Sequence, residues 1–215
     1  KIICAVRKKD KKFINFAKRY KKNIIDIIEF DITNESQVKK KIEYLYKKKK
    51  SINILINCAG KDSGSITEMT PIKLIKNIFD INFFSQIRIT QHLLKFLKKS
   101  KNSSIINVGS ISGLTPERGN LAYGTSKSAL MFASKIMANE FGSYKIRVNS
   151  VAPGIIKTKM LEKMDKKIIQ KIKNNSFNQK IGTAEEVADL ITYLCSDKAS
   201  HINGQTIKID GGTIF

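Results

Sequence analysis

The sequence predicts an α/β fold, a mostly parallel, doubly wound sheet with helices on both faces. Three observations carry this reading. Short β-type apolar runs alternate with segments whose apolar residues recur at helical spacing, from Ile2 to Ile209. Such alternation implies crossover connections, and hence a parallel sheet covered on both sides. Asp31, Asn57, Ser110 and Pro153 each stand just after a β-type run. In this architecture ligands bind beyond the carboxyl ends of the strands. No repeat or low-complexity linker divides the 215 residues, so residues 1–215 are expected to form a single domain.

The elements follow in order. Ile2–Val6 is a β-type run, and Phe13, Ala17 and Tyr20 then recur at helical spacing. Asn23–Phe30 is a second strand, ending at Asp31. Asn34 can cap a helix with Gln37 three residues on, and Val38, Ile42 and Leu45 give that helix an apolar stripe. Lys47–Lys50 forms its solvated, cationic end. Asn53–Asn57 reads as the third strand, running into Ala59-Gly60. Thr70-Pro71 supplies a cap and a first-turn proline for a long helix to about Leu97. Ser104–Val108 is the next strand, followed by a helix from about Ala122 to Phe141. Arg147–Val151 is a strand stopped by Pro153-Gly154, and Lys157–Ser176 is expected to be a mobile helical segment. Thr183 and Glu186 form a capping box for a helix to about Cys195. Gln205–Ile209 is the last strand, closed by Gly211-Gly212.

Forty basic residues against 18 acidic give a net charge of +22. A balance of that size raises nucleic acid or an anionic membrane as partners. The distribution argues against nucleic acid. Lysine is spread over several helices, five of the 40 basic residues are Arg, and there is no Trp to stack on bases. Abundant Lys, Ile and Asn fit A+T-rich codons. A positive field would still attract phosphorylated cofactors and acidic carriers. No apolar run approaches a membrane span, and no secretory signal stands at the start. Cys4, Cys58 and Cys195 are scattered, as in a reduced, cytoplasmic chain. His92 and His201 have no partner motif, so no metal site is expected.

Tyr123-Gly-Thr-Ser-Lys127, with Ser110 thirteen residues upstream, is the constellation that carries chemistry. On a helix, positions i and i+4 share a face. The cation is expected to favour phenolate and lower the Tyr pKa from its ordinary value of ~10. A tuned Tyr gives a proton to a carbonyl oxygen, or takes one from an alcohol. A nearby Ser hydroxyl holds that same oxygen. Tyr44/Lys48 and Tyr46/Lys50 share the spacing, but lie on a polar helix with no Ser at that distance. Ser112 is an alternative to Ser110.

These residues resemble the short-chain dehydrogenase/reductase family, whose fold is of Rossmann type, from about Ile2 to Gly212. The markers occur in order: Asp31-Ile32, Asn57-Cys58-Ala59-Gly60, Asn82, Gly109-Ser110, Tyr123-x-x-x-Lys127, Pro153-Gly154-Ile155-Ile156-x-Thr158 and Asp210-Gly211-Gly212. Within the family the chain looks most like the 3-oxoacyl-[acyl-carrier-protein] reductase type of fatty acid biosynthesis. The resemblance implies Tyr123 as general acid/base, and Lys127 as the group that tunes it and binds the nicotinamide ribose. Ser110 would orient the carbonyl. Asn82 would interrupt its long helix and hold a relay water toward Lys127. Asp31 would accept from adenine beside the Ile32 amide. Asn57, Ala59 and Gly60 would let the backbone approach the cofactor ribose. Tyr123, Pro153 and Gly154 would also contact the cofactor, and Ile156 and Thr158 would bind the nicotinamide carboxamide. The family pattern Ser-x-x-Gly selects Ser110, with Gly113.

An acid at the end of the first visible strand would grip the free ribose hydroxyls of NAD, and a base would pair with the extra phosphate of NADP. Here that strand runs Ala5-Val6-Arg7-Lys8-Lys9, with no acid before Asp10, which predicts NADP(H) with Arg7 on the phosphate. The family's opening strand and Gly-rich turn have no counterpart, so roughly 20–30 further residues, one strand, turn and helix, are expected ahead of Lys1. Without that strand the sheet would carry a slot at its centre. Cys58 replaces the second Asn of the usual Asn-Asn-Ala-Gly, a weaker hydrogen-bonding group. The expected substrate is a small carbonyl or a 3-oxoacyl group on acyl carrier protein, with Lys98, Lys99, Lys101 and Lys145 as a basic landing. The alternatives are reduction of a sugar, polyketide or steroid-like carbonyl, or a non-catalytic binding module with a basic surface. The resemblance also implies a homotetramer, permitted by apolar helix positions Leu130, Phe132 and Ile136.

Overall fold

The computed structural model describes residues 1–48, 51–157, 169–170 and 173–213. Thr158 and most of the expected helical segment Lys157–Ser176 lie outside these residues. The strands are β1 (Ile2–Val6), β2 (Ile24–Glu29), β3 (Ile54–Asn57), β4 (Ser103–Val108), β5 (Ile146–Pro153) and β6 (Thr206–Ile209). They form two parallel ladders, β1-β2 and β3-β4-β5-β6. β1 and β3 are not hydrogen-bonded to each other, and the break falls where the family's central strand was expected.

Register sets where the chemistry sits. Asn57 pairs with Asn107, Val108 with Val151, and Pro153 with Ile209. The carboxyl ends of the four-stranded ladder are therefore level, and the loops that follow them meet at one edge of the molecule.

Helices cover both faces. α1 (Lys11–Arg19) is capped by Asp10, whose Oδ1 accepts from the Phe13 amide at 2.7 Å. At the start of α2 (Glu35–Lys48), Asn34 Oδ1 accepts from the Gln37 amide at 3.0 Å. The Gln37 side chain accepts from the Asp31 amide instead, tying the end of β2 to the helix. Val38, Ile42 and Leu45 are buried as their spacing predicts. They join Ile28, Phe30, Leu55, Leu93, Phe96 and Ile105 in one core cluster. Each such side chain contributes about 1.5–3 kcal/mol when fully buried. On the opposite face α6 (Ala184–Cys195) packs Leu194 against Ile106 and Val151. Its predicted capping box forms in both directions, Glu186 N to Thr183 Oγ1 and Thr183 N to Glu186 Oε2.

The predicted long helix is three pieces: α3 (Ile72–Phe79), a π-helical turn (Asp80–Phe84) and α4 (Ser85–Lys99). Thr70 does not cap it. Its hydroxyl donates to the Ser65 and Ile66 carbonyls, and Pro71 stands at the cap position without a side-chain bond. α5 (Leu121–Phe141) carries the Tyr/Lys pair. Of its three apolar positions expected to meet a partner subunit, Phe132 and Ile136 are exposed, but Leu130 is buried within the protomer.

Candidate active site

Ser110 caps a 3-10 turn (Ile111–Gly113) directly after β4, its Oγ accepting from the Ser112 amide at 3.2 Å. The Ser112 hydroxyl turns to Glu117 Oε2 at 3.0 Å. Ser110 is the hydroxyl that acts on the Tyr123 phenol, favouring its ionised form. Of the two candidate serines, the geometry brings Ser110 to the tyrosine.

The turn and α5 touch closely, and two glycines permit it. A Cβ on Gly124 would lie 2.6 Å from the Ser112 carbonyl oxygen, and one on Gly113 would lie 2.7 Å from the Ser128 amide nitrogen. Gly113 stands in the family pattern. Gly124 was not singled out from the sequence; its only signal was its place directly after Tyr123.

Lys127 is buried beneath the site. Its Nζ donates to the Val108 carbonyl at 2.7 Å and lies 5.9 Å from the centre of the Tyr123 ring. Burial lowers its pKa from 10.5 to about 8. The expectation that the ammonium would lower the tyrosine pKa is not met. Burial raises the Tyr123 pKa, Ser110 opposes this, and the Asp62 and Glu117 carboxylates raise it further. The physical reason is the direction of the lysine stem: it reaches down to the β4 carbonyl, not outward to the phenol.

Asn82 sits at the middle of the π-helical turn, fully buried. Its Oδ1 accepts from the Lys61 amide at 2.8 Å, and its Nδ2 donates to the Lys61 carbonyl at 2.9 Å and to Ser126 Oγ at 3.0 Å. Ser126 Oγ in turn donates to the Tyr123 carbonyl at 2.7 Å. The carboxamide thus pins the segment after β3 to the turn of α5 that carries Tyr123 and Lys127. π-Helical turns recur at functional sites because they re-aim a side chain. Ser126, which passes this link to α5, was also not singled out from the sequence.

A buried amide and hydroxyl chain underlies the same corner. Asn57 Nδ2 donates to Asn107 Oδ1 and Thr90 Oγ1, and Asn107 Nδ2 donates to Ser134 Oγ. The Asn57 side chain is therefore spent inside the fold. Gln86 Nε2 holds the Ala59 carbonyl at 2.9 Å. A Cβ on Gly60 would meet Lys127 Nζ at 3.2 Å and Asn82 Oδ1 at 3.5 Å, so the bare glycine leaves a cradle above both.

The remaining residues line the same carboxyl edge. Asp31 Oδ1 accepts from the Thr33 amide and hydroxyl; these bonds, with a smaller effect of Arg7, hold its pKa below the ordinary carboxylate value. The Ile32 carbonyl accepts from Arg88 at 3.4 Å. Arg7 is exposed just past β1. Pro153 ends β5, and the Gly154 amide donates to the Ile209 carbonyl. Ile156 is placed by a parallel bridge to Gly182. A cavity of about 790 Å³ lies beside the site, lined among others by Ser112, Glu117, Asn120 and Gly124. Ser110, Tyr123 and Lys127 are not in its walls. No group of three or more His, Cys, Asp or Glu suited to a metal occurs among the described residues. No helix among them is long and apolar enough to cross a membrane.

This hydroxyl–phenol–ammonium arrangement suits proton transfer at a carbonyl oxygen beside a bound hydride carrier. The family model described as enoyl-(acyl carrier protein) reductase matches residues 2–213. The chain is 36% identical to the 3-oxoacyl-[acyl-carrier-protein] reductase FabG of Buchnera aphidicola over 183 residues, covering 85% of this chain and 75% of that protein. Among solved structures it resembles a 4-hydroxyisoleucine dehydrogenase mutant complexed with NADH and succinate, at a TM-score of 0.88 and 31% identity, covering 98% of this chain and 86% of that one. It also resembles an NADP complex of Pseudomonas aeruginosa RhlG, at a TM-score of 0.89 and 26% identity, covering 98% of this chain and 85% of that one. Fold, site and relatives agree: the chain belongs to the short-chain dehydrogenase/reductase family of NAD(P)-dependent oxidoreductases.

Proposed function

We propose that this chain reduces the carbonyl of a 3-oxoacyl group on acyl carrier protein, using NADPH. The carrying observation is the Ser110 hydroxyl set against a Tyr123 phenol whose pKa is raised, so that the phenol holds its proton at neutral pH. A protonated phenol donates; it is the form that reduction of a ketone requires. Several curated relatives bearing the 3-oxoacyl-[acyl-carrier-protein] reductase name support the substrate class.

The nucleotide supplies a hydride at its nicotinamide carbon. Arg7 and the Ile32 amide would hold its adenosine end, with Asp31 accepting from adenine. The Gly60 cradle over Lys127 would take the nicotinamide ribose, and Ile156 and Thr158 its carboxamide. Ser110 donates a hydrogen bond to the substrate oxygen and fixes it against the phenol. Tyr123 gives its proton to that oxygen as the carbonyl becomes an alcohol. Asn82 has both amide hydrogens committed to Lys61 and Ser126 and accepts from the Lys61 amide, so its side chain holds position and one acceptor site on its oxygen is free for a relay water. Lys98, Lys99, Lys101 and Lys145 are offered as the landing for an acidic carrier. A homotetramer is consistent with exposed Phe84, Phe132 and Ile136, and a cytoplasmic location with the reduced cysteines.

Oxidation of NADPH is measured with a 3-oxoacyl carrier protein, a small 3-oxo thioester and a panel of sugar ketones, for wild type and Tyr123→Phe. The expected result is fastest turnover on the carrier-linked substrate, falling about 10²–10⁴-fold in Tyr123→Phe while nucleotide binding persists. Preference for the sugars would overturn the substrate assignment. Undiminished turnover in Tyr123→Phe would overturn the mechanism.

A further inference from the structure

The net charge of +22 makes this protein a general attractor of anions. Two carboxylates nevertheless act on Tyr123. Glu117 lies on the loop between Ser110 and Tyr123, with its Oε2 accepting from Ser112 Oγ at 3.0 Å and from Asn120 Nδ2 at 2.7 Å. Both donors are next to the machinery: Ser112 is two residues past Ser110, and Asn120 is three before Tyr123. Asp62 arrives from the other side. It follows Lys61, which Asn82 clamps through both its amide and its carbonyl. Further along that segment, Ser65 bridges to Asn120 and its amide donates to the Gly119 carbonyl at 2.8 Å. The two carboxylates thus sit on adjoining, mutually bonded segments, and both act on the phenol.

We infer that Glu117 and Asp62 are specificity-determining residues, which select substrates whose group next to the reacting carbonyl is neutral and reject 3-oxo carboxylates. The inference rests on the reductase reading, because it takes Tyr123 as the point where the carbonyl docks. A carboxylate one carbon away from that carbonyl would enter the corner that the Glu117 and Asp62 segments enclose. Like charges in one corner, partly screened by solvent, repel enough to change affinity several-fold. An ester or thioester at the same place feels no such repulsion. The charged groups on the elements around Tyr123 are Asp62 with its exposed neighbour Lys61, Glu117 with its exposed neighbour Arg118, and Lys127; the two carboxylates act on the phenol, and Lys127 is turned to Val108.

Glutamine at 117 keeps an oxygen for both hydrogen bonds and removes only the charge. The test compares acetoacetate with its methyl ester for wild type, Glu117→Gln, Asp62→Asn and Glu140→Gln. Glu140 is exposed near the far end of α5, 17 residues or about 25 Å from Tyr123. Affinity is read by saturation-transfer NMR, which needs no turnover, and kcat/KM by NADPH oxidation. The ester-to-acid preference is expected to fall about fivefold in Glu117→Gln and in Asp62→Asn, and to stay put in Glu140→Gln. The Tyr123 phenol, followed by ultraviolet difference titration against Tyr123→Phe, is expected to ionise at lower pH in Glu117→Gln. An unchanged preference in both near variants, an equal change in Glu140→Gln, or no binding of either ligand overturns the inference. Absent turnover with the NMR preference intact would instead count against the reductase reading alone.

Discussion

Lys127 is 4% exposed, and its pKa is lowered from 10.5 to about 8 by burial. An ammonium desolvated to this degree works against folding, because the unfolded chain binds that proton more tightly than the folded one. The cost is fully present below pH 8 and vanishes as pH rises from 8 to 10.5. At about 1.4 kcal/mol per pH unit, it amounts to about 3 kcal/mol. Lys127→Met keeps a long apolar stem and removes the charge. It also takes the donor from the Val108 carbonyl, which costs about 1–3 kcal/mol but does not depend on pH. The two effects therefore separate. The stability of Lys127→Met relative to wild type should fall by about 3 kcal/mol between pH 7 and pH 10.5. Urea unfolding of both proteins without nucleotide, followed by circular dichroism at stepped pH, measures this directly. The other lysines titrate in both proteins and cancel in the difference. A difference that is flat with pH, or that moves the other way, would refute the account of a lysine desolvated beneath the site.

Two further outcomes follow from positions on either side of that lysine. Arg7→Asp should raise KM for NADPH at least about tenfold while leaving KM for NADH level or lower, since only the former carries the extra 2′-phosphate for a base at the β1 end; an unchanged preference in steady-state kinetics would remove Arg7 from cofactor choice. Gly124→Ala places a methyl 2.6 Å from the Ser112 carbonyl and should part the Ser110 turn from α5, lowering stability by about 1–3 kcal/mol and kcat with it; thermal unfolding with parallel turnover checks both, and wild-type values of each would show that the contact yields freely.

Much of the fold was legible because its signals are periodic and local. Val38, Ile42 and Leu45 are buried as their spacing predicts, and Thr183 and Glu186 cap α6 reciprocally. The break between β1 and β3 was legible by comparison with the family's strand order. Thr70 was misread because a cap motif states only what a side chain is able to do. Here the competing Ser65 and Ile66 carbonyls, brought up by the turn before α3, take its hydroxyl. Leu130 was misassigned to a subunit contact because the face of α5 that meets the sheet is set by tertiary packing. A helix apolar nearly all round does not declare that face.

The site shows the same division more sharply. Helical spacing put Tyr123 and Lys127 on one face, and the end of a strand put Ser110 opposite them. Spacing does not fix where a four-carbon stem ends. Lys127 reaches the Val108 carbonyl, at a level below the phenol, and so the field at Tyr123 is set by its burial, Ser110, Asp62 and Glu117. None of those carboxylates belongs to the motif, and both stand on segments whose loops carry no periodic signal. The consequence is directional. A tyrosine lowered toward neutrality would serve alcohol oxidation as readily as reduction, because its phenolate would be available as a base. A tyrosine held high keeps its proton through neutral pH, so the phenolate that would take a proton from an alcohol forms only under alkaline conditions, at the cost of a weaker acid for donating one.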